Sequence, residues 1–235
     1  MMIREKIKDF RAKHALTQYV EISGEESTRR VYHHDRAEVT YCPYFRRMAF
    51  RRYHFPNRGP ENRTRLLHSI EVSTMASGMA RRLLVDVDLT EAIALGHDIA
   101  QPPLGYPVEG LLRDFVGDGQ YNHAKLSSRI LLWNSLKDEG TKQFEELESR
   151  GCYSIVEING GGKKIATITD EAIDGIMKHT PPYVEGRPSI VADPPLTIEG
   201  QLVRVADTLS YISQEIDEAL RINKSFVEKL QSYAG

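Results

Sequence analysis

The chain has 235 residues, with 31 Lys and Arg against 33 Asp and Glu, a formal net charge of −2. At roughly 100–200 residues per domain, that length suits one large domain or two small ones and is ample for a buried core. Apolar residues at 40% and charged residues at 27% exclude a disordered or fibrous protein, and the near-neutral total excludes a wholesale polyanion binder while leaving room for a local one.

The first 40 residues are polar and charged, with a weak helical pattern around Ile3–Phe10. The opening MMIREKIKDFRAK lacks an apolar h-region, so no signal peptide is expected. Ten of the 20 arginines fall between Arg29 and Arg65, a stretch without lysine. Arginine presents a planar fork that matches phosphate oxygens, although a solvated face explains any single one of them. From Tyr41 onward the apolar periodicity is mainly helical. Between Arg63 and Leu84 a helix is predicted, with Val72, Met75, Met79 and Leu83 on one face and Arg65 and His68 projecting from it. A second is predicted from Thr90, as N-cap, to about Ala100, where Gln101-Pro102-Pro103 stops it. A loop containing Gly105 and Pro107 follows. The next predicted helix, Asn122 to Leu136, carries His123, Leu126, Ile130 and Trp133 in one stripe.

Residues 153–168 read as a β-hairpin, two β-branched runs around a Gly-rich turn. The triple glycine lacks a following helix and a Lys-Ser/Thr pair, so it is a turn and not a phosphate loop. Helix resumes at Asp170–Lys178 and ends before Pro181-Pro182. The last helix runs from about Leu196 past Leu220, with Leu202, Val205, Leu209, Ile212, Ile216 and Leu220 as its buried stripe. Asp207, Tyr211 and Glu215 form a polar stripe on the same helix. Cys42 and Cys152 cannot build a disulfide framework or a Cys-rich zinc site. The longest apolar runs, such as Ile130–Trp133, fall far short of the roughly 20 residues of a membrane span. A cytoplasmic protein with no membrane partner is expected.

The chemistry concentrates in His68, the His97-Asp98 pair and Asp207, each on a predicted helix. A His-Asp dipeptide inside the apolar ALGHDIA is costly to bury unless both groups have partners. Imidazole and carboxylate together suit a divalent cation such as Mn, Mg, Fe, Co, Ni or Zn, although a hydrogen-bonded core pair is equally compatible with the dipeptide alone.

Five segments occur in one order: RTRLLHSIEV, GHDIAQPPLGYPVEGLL, NHAKLSSRIL, IDGIMKHT and EGQLVRVADTLSYISQEID. In these the chain resembles the HD-domain deoxynucleoside triphosphate triphosphohydrolases, the deoxyguanosine triphosphatase-like branch of the HD phosphohydrolases. The resemblance runs from about Tyr41 to Leu220. It implies an all-α HD-domain helical bundle as one domain over 1–235, with a polar segment 1–40 and an HD core 41–225, into which the hairpin near 153–168 is inserted. It further implies metal ligands at His68, His97, Asp98 and Asp207, and catalytic groups at His123 and Glu109. Arg65 matches a phosphate-contacting arginine, and Tyr211 and Glu215 match positions facing the sugar. FRRMAFRRYHF, with Arg46 and Tyr53, resembles a pocket-lining segment; Lys125 is a further candidate for the phosphates. The implied reaction is release of triphosphate and a deoxynucleoside, by a homo-oligomer.

The second motif departs from the family's pattern. Two histidines that assist catalysis or phosphate contact stand here as Gln101 and Tyr106, and the usual Lys-Thr-Gln near the base as Arg51-Arg52-Tyr53. Gln can donate to phosphate but is no general acid near neutral pH; Tyr can donate a proton but, with a reference pKa near ~10, is a poor base. Two alternatives stay open. The order His68, His97-Asp98, His123, His179, Asp207 also resembles two-metal HD nucleotide phosphatases and phosphodiesterases, although His179 reads equally as a helix C-cap. The other is a nucleotide- or nucleic-acid-binding protein that uses the Arg-rich segment 29–65, with a vestigial hydrolytic site.

Overall fold

The computed structural model describes residues 25–52, 63–117, 121–138, 155–158, 162–181, 183–184, 187–188 and 191–222; for 25–30, 138, 155–158, 162–163, 183–184, 187–188, 215 and 217–222 it describes the backbone alone. The weak helical pattern at Ile3–Phe10, the Asn159–Gly161 turn and Tyr53 lie outside the described residues.

Four helices (Arg65–Leu83, Val87–Gly96, His123–Asn134 and Asp170–Met177) each begin at a side chain that accepts from one of their first free amides. Helix α1 (Glu25–Tyr41) leads through the short α2 (Pro43–Arg47) and a 3-10 turn (Met48–Phe50) to α3 (Arg65–Leu83). Thr64 caps α3 by accepting from the Leu67 amide at 3.2 Å. Asp86 caps α4 (Val87–Gly96) through the Leu89 amide at 3.0 Å. Asn122 caps α6 (His123–Asn134) through Lys125, and Thr169 caps α7 (Asp170–Met177) through Ala172. Such caps contribute about 1 kcal/mol each. Between α4 and α6 lies α5 (Tyr106–Val116), and the long α8 (Ile198–Ile222) closes the described chain.

Helix α4 is the hub, touching α1, α3, α6, α7 and α8. Its Leu89 and Ile93 sit in a core with Val72, Ala76, Leu131, Ile168, Ile176 and Val203. Burying a side chain the size of Ile93 contributes about 1.5–3 kcal/mol. Gly175 lets α7 come close, because a Cβ there would lie 2.5 Å from Ile93 Cδ1. The fold is therefore all-α, with a small antiparallel insertion. Strand β2 (Ile155–Ile158) and β3 (Gly162–Ala166) form the expected hairpin, and β1 (Leu136–Asp138) adds to the other edge in the order β1-β3-β2, pairing Leu136 with Ala166. A separate two-stranded ribbon joins β4 (Tyr183–Val184) to β5 (Arg187–Pro188).

Several details correct the sequence-based expectations. Helix α4 starts three residues before Thr90, because Asp86 and not Thr90 takes the capping position; the Thr90 hydroxyl bonds back to the Asp86 carbonyl. The Pro-rich loop contains α5, whose Pro107 stands in the first turn, where a missing N–H costs nothing. On α3 the buried face is Arg65, His68, Ser69, Val72, Ser73, Ala76, Ser77 and Ala80, with Met75 exposed. On α6 Trp133 faces outward, and on α8 Leu209, Ile212 and Ile216 are exposed while Val203, Ala206 and Ser210 are buried. Close helix contacts select small side chains, so volume and not hydropathy decides which face turns in. The packed core also reaches N-terminal of Tyr41: Tyr32, Asp35 and Val39 of α1 are all buried.

Candidate metal centre

Five helices aim their ends or faces at one point. Helix α3 contributes His68, the turn after α4 contributes His97 and Asp98, and α8 contributes Asp207. The turn after α7 adds His179, and α6 adds His123. His68 Nε2 lies 3.0 Å from Asp207 Oδ1 and 3.9 Å from Asp98 Oδ2; His97 Nε2 lies 3.6 Å from Asp207 Oδ1 and 3.8 Å from Asp98 Oδ1. The four residues expected as ligands are thus brought together. Ligand atoms converge within 4.8 Å of one another in three overlapping sets: His68, His97 and Asp98; His97, His179 and Asp207; Asp98, His123 and His179.

The donor set fits a divalent cation. The His97 Nδ1–H donates to the Ala94 carbonyl at 2.7 Å, which leaves Nε2 directed at the carboxylates. That Nε2 is buried and has no hydrogen-bond partner among the described residues. An orphaned buried nitrogen costs about 1–3 kcal/mol unless something occupies the space it faces. His179 repeats the device, donating Nδ1–H to the Ile176 carbonyl at 2.7 Å. A backbone carbonyl behind a ligating imidazole fixes both tautomer and ring direction.

Charge in the cluster is balanced by protons and by one arginine. Burial opposes a charge on His97, yet Asp98 and Asp207 push it up to about 9. Burial likewise works against ionised Asp98 and Asp207, but His97, His68 and, at Asp98, Arg65 hold both below the usual carboxylate range. Burial lowers His68 despite Asp207, and brings His179, with His97 and His123 alongside, down to about 3. Arg65 Nη1 donates to Asp98 Oδ2 at 2.8 Å within the protein. Its guanidinium rests against Gly105, at φ +68°, where a Cβ would approach Arg65 Nη2 to 2.5 Å.

Glu109, buried on the otherwise exposed α5, accepts from the His123 backbone N–H at 3.2 Å and from His123 Nδ1–H at 2.8 Å. Burial would raise its carboxyl, but these bonds hold it below its usual value. The other face of the His123 ring turns Nε2 to the centre, 3.7 Å from Asp98 Oδ1 and 3.2 Å from His179 Nε2. Thr180 Oγ1 lies within 3.3 Å of both imidazoles.

The remaining expected residues fall in three groups. Gln101 is buried beside Arg65 and Gly105, with its Oε1 unpaired among the described residues. The Tyr106 ring is 53% exposed yet stands edge-on to His123, centroids 6.1 Å apart; desolvation at its inner end together with Asp207, Asp98 and Glu109 raises its hydroxyl, keeping it a proton donor. Lys125 is exposed on α6, Tyr211 is on the rim of α8, and Arg46 is exposed on α2, where no hydrogen bond or ion pair among the described residues ties it to the centre. Tyr53 and the side chain of Glu215 lie outside the described residues. Arg51, matched in sequence to a base-side lysine, instead donates to the Gln101 carbonyl at 2.9 Å and the Ile99 carbonyl at 2.7 Å, holding the second-motif loop. His179 reads as a helix cap and also points into the cluster. Its sequence signal was its place in the order His68, His97-Asp98, His123, His179, Asp207.

A family model described as HD domain matches residues 65–212, more than half of the chain. The chain belongs to the HD domain family. The match takes in His68, His97, Asp98, His123, His179 and Asp207. Among curated relatives, the chain is 31% identical over 194 residues to a deoxyguanosinetriphosphate triphosphohydrolase-like protein of Desulfatibacillum aliphaticivorans, covering 82% of this chain and 48% of that protein. A protein of the same name in Geobacter sulfurreducens is 32% identical over 211 residues, 86% of this chain and 48% of its own length. Another in Caldanaerobacter subterraneus subsp. tengcongensis is 33% identical over 188 residues, 80% and 45% respectively. This HD chain spans about half the length of the curated relatives it matches. No helix of the described residues is long and apolar enough to cross a membrane.

Proposed function

We propose that the chain is a cation-dependent phosphohydrolase acting on deoxynucleoside triphosphates and releasing a deoxynucleoside and triphosphate. The observation that carries the hydrolytic reading is the approach of His68 Nε2 and His97 Nε2 to the Asp98 and Asp207 carboxylates, all within 3.9 Å. The names of the curated relatives support the substrate class. His68, His97, Asp98 and Asp207 would hold one divalent cation of the Mn, Mg, Fe, Co, Ni or Zn type. When bound, such an ion polarises a phosphoryl oxygen and acidifies coordinated water.

The chain's own groups do the rest. Arg65, already at the centre, neutralises the polyphosphate, with Gln101 and Lys125 as further donors. Water adds to the α-phosphorus, the bond from phosphorus to the sugar 5′ oxygen breaks, and that oxygen takes a proton as the deoxynucleoside leaves. His123 delivers the proton, because its Nε2 faces the centre and Glu109 behind it stabilises the imidazolium. Tyr106 contributes a hydroxyl donor from the opposite edge. Tyr211 and Glu215 are assigned to the sugar, and Tyr53 to the pocket near the base. A homo-oligomer in the cytoplasm completes the proposal.

The test incubates the protein with each deoxynucleoside triphosphate and Mn²⁺ and separates the products by chromatography. Deoxynucleoside and intact triphosphate are expected. Stepwise loss of phosphate would overturn the proposed bond cleavage, and Asp207→Ala must abolish cation binding and turnover together.

A second reading is favoured by the set of Asp98, His123 and His179, which offers a second cation position sharing Asp98 with the first. Two equivalents of metal per chain, in protein prepared without chelator, would establish it and point to a nucleotide phosphatase or phosphodiesterase.

A further inference from the structure

Arg204 is a buried charge that the hydrolytic chemistry does not use. It stands on α8 three residues before Asp207, is 1% exposed, and is the largest fully buried side chain among the described residues. Its guanidinium donates to backbone carbonyls on two separate segments. Nε donates to the Lys178 carbonyl at 2.9 Å, and Nη2 joins it there. Nη1 donates to the Ala192 carbonyl at 2.8 Å, and Nη2 also donates to the Asp193 carbonyl at 2.7 Å. Burial lowers the guanidinium pKa against the pull of the Asp193 and Asp174 carboxylates, yet an arginine keeps its proton in a protein.

The Lys178 end of this clamp bears on the cation centre. The last carbonyls of a helix lack intrahelical donors. Helix α7 does not close them with a left-handed residue, because Lys178, at its C-cap, stands at φ −109° and ψ 12°. Two side chains supply donors instead. The His179 Nδ1–H takes the Ile176 carbonyl, and Arg204 takes the Lys178 carbonyl, which belongs to the same peptide as the His179 backbone nitrogen. The peptide that Arg204 grips is therefore the one that carries His179. The ring reaches back to Ile176 only while that peptide holds its orientation. Nε2 of the same ring faces His123 at 3.2 Å and converges with His97 and Asp207 in one set of ligand atoms. A role in the fold alone would be met at less cost by a glycine cap or a water, since a buried guanidinium gives up its hydration.

We propose that Arg204 is the positioning residue for His179, fixing its peptide from α8 so that Nε2 is aimed at the cation centre. One turn of α8 then sets both Asp207 and the imidazole that converges with it. The effect on turnover rests on the proposed phosphohydrolase activity; the effect on the ring does not.

Arg204→Lys removes the fork and leaves one ammonium for two segments, and Arg204→Gln removes the charge as well. The test records nitrogen–hydrogen correlation spectra of the histidine rings in the full chain with Mg²⁺, a diamagnetic ion. The His179 signals are those missing from His179→Ala. Wild-type His179 is expected as the Nδ1–H tautomer alone, Arg204→Lys as a mixture of both tautomers, and Arg204→Gln without the preference. Initial rates on the deoxynucleoside triphosphate turned over fastest should show kcat lowered by about 10–100-fold in both variants, with KM unchanged. In the His179→Ala background the same substitutions should cost less than about twofold further, because a residue that acts through His179 has nothing left to orient. Losses that multiply across the two positions would make Arg204 a general prop of the fold and overturn the proposal. A wild-type His179 spectrum in Arg204→Lys would also overturn it, and that variant decides the matter even where Arg204→Gln does not fold. A chain that turns over no nucleotide would defeat the phosphohydrolase reading and leave the ring spectra to decide this one.

Discussion

The Nε2 atoms of His123 and His179 stand 3.2 Å apart, although each ring has already committed its Nδ1–H elsewhere, His123 to Glu109 and His179 to the Ile176 carbonyl. Two lone pairs at that separation repel unless a proton or a cation lies between them. Burial, with His97 and His123 alongside, holds His179 neutral, at about 3. The pair thus connects the proton donor proposed for catalysis to the wall of the cation site.

His179→Ala separates the one-cation and two-cation readings. With one cation held by His68, His97, Asp98 and Asp207, the variant is expected to keep one equivalent of metal and to lose about 10–100-fold in turnover, as for loss of an outer-shell partner. Elemental analysis per chain, alongside initial rates, checks it. A drop from two equivalents to one would assign His179 as a ligand.

Glu109→Gln keeps the size of the side chain and an acceptor for the His123 amide but removes the charge behind the imidazole. Metal content is expected to stay unchanged while kcat falls by about 10²–10⁴-fold, the usual contribution of a positioned acid. Unchanged turnover would remove Glu109 from proton handling.

Cation binding should depend on pH through His97. A ligand imidazole must be neutral, so binding releases the proton that Asp98 and Asp207 hold there. Below the folded value of about 9, apparent Mn²⁺ affinity is expected to rise by up to about tenfold per pH unit, measured by calorimetric titration. In cation-free protein the sign for stability is opposite. A raised imidazole pKa stabilises the fold fully below the unfolded value of 6.5 and loses that contribution as pH rises to about 9. Thermal melts of chelated protein should fall across this window, and saturating Mn²⁺ should flatten the slope.

Asp35 offers a test of the fold remote from catalysis. It accepts from the Thr169 amide at 3.0 Å and pairs with the Thr169 hydroxyl, joining α1 to the start of α7. Burial raises its carboxyl well above the usual value, outweighing both Thr169 bonds. A raised carboxylate pKa means that the folded state binds the proton more tightly, so stability falls as pH rises from the unfolded value of 3.8 towards the folded one. Asp35→Asn can keep both bonds without a charge. It is expected to raise the melting temperature at neutral pH, whereas Asp35→Ala should cost about 1–3 kcal/mol, read from denaturant unfolding.

Much of this was legible in the chain, for physical reasons that differ by residue. His68, His97, Asp98 and Asp207 stood out because ionisable groups inside apolar helical periodicity need partners, and the motif order supplied them. Helices α3, α6, α7 and α8 followed from the 3.6-residue pattern. Helix α5 did not, because Pro102, Pro103 and Pro107 read as a loop although Pro107 opens a helix. The inward faces of α3 and α8 were misjudged wherever Ala76, Ala80, Ala206 or Ser210 outcompeted larger neighbours for a tight contact. Asp35 was invisible, since its partner Thr169 lies 134 residues away and nothing local signals the pairing.

Gly105 places two unrelated demands on a single missing carbon: its φ of +68° disfavours a side chain, and Arg65 fills the space that one would occupy. Gly105→Ala should therefore displace the guanidinium from Asp98 and lower both cation affinity and turnover, as titration and rate measurements would show. Compensating changes then have very few places to arise. A suppressor that relaxes the loop leaves the collision, and one that shortens Arg65 forfeits its ion pair with Asp98. In a selection for second-site revertants, true reversion to glycine should dominate, which makes position 105 a genetic lock between the first and second motifs.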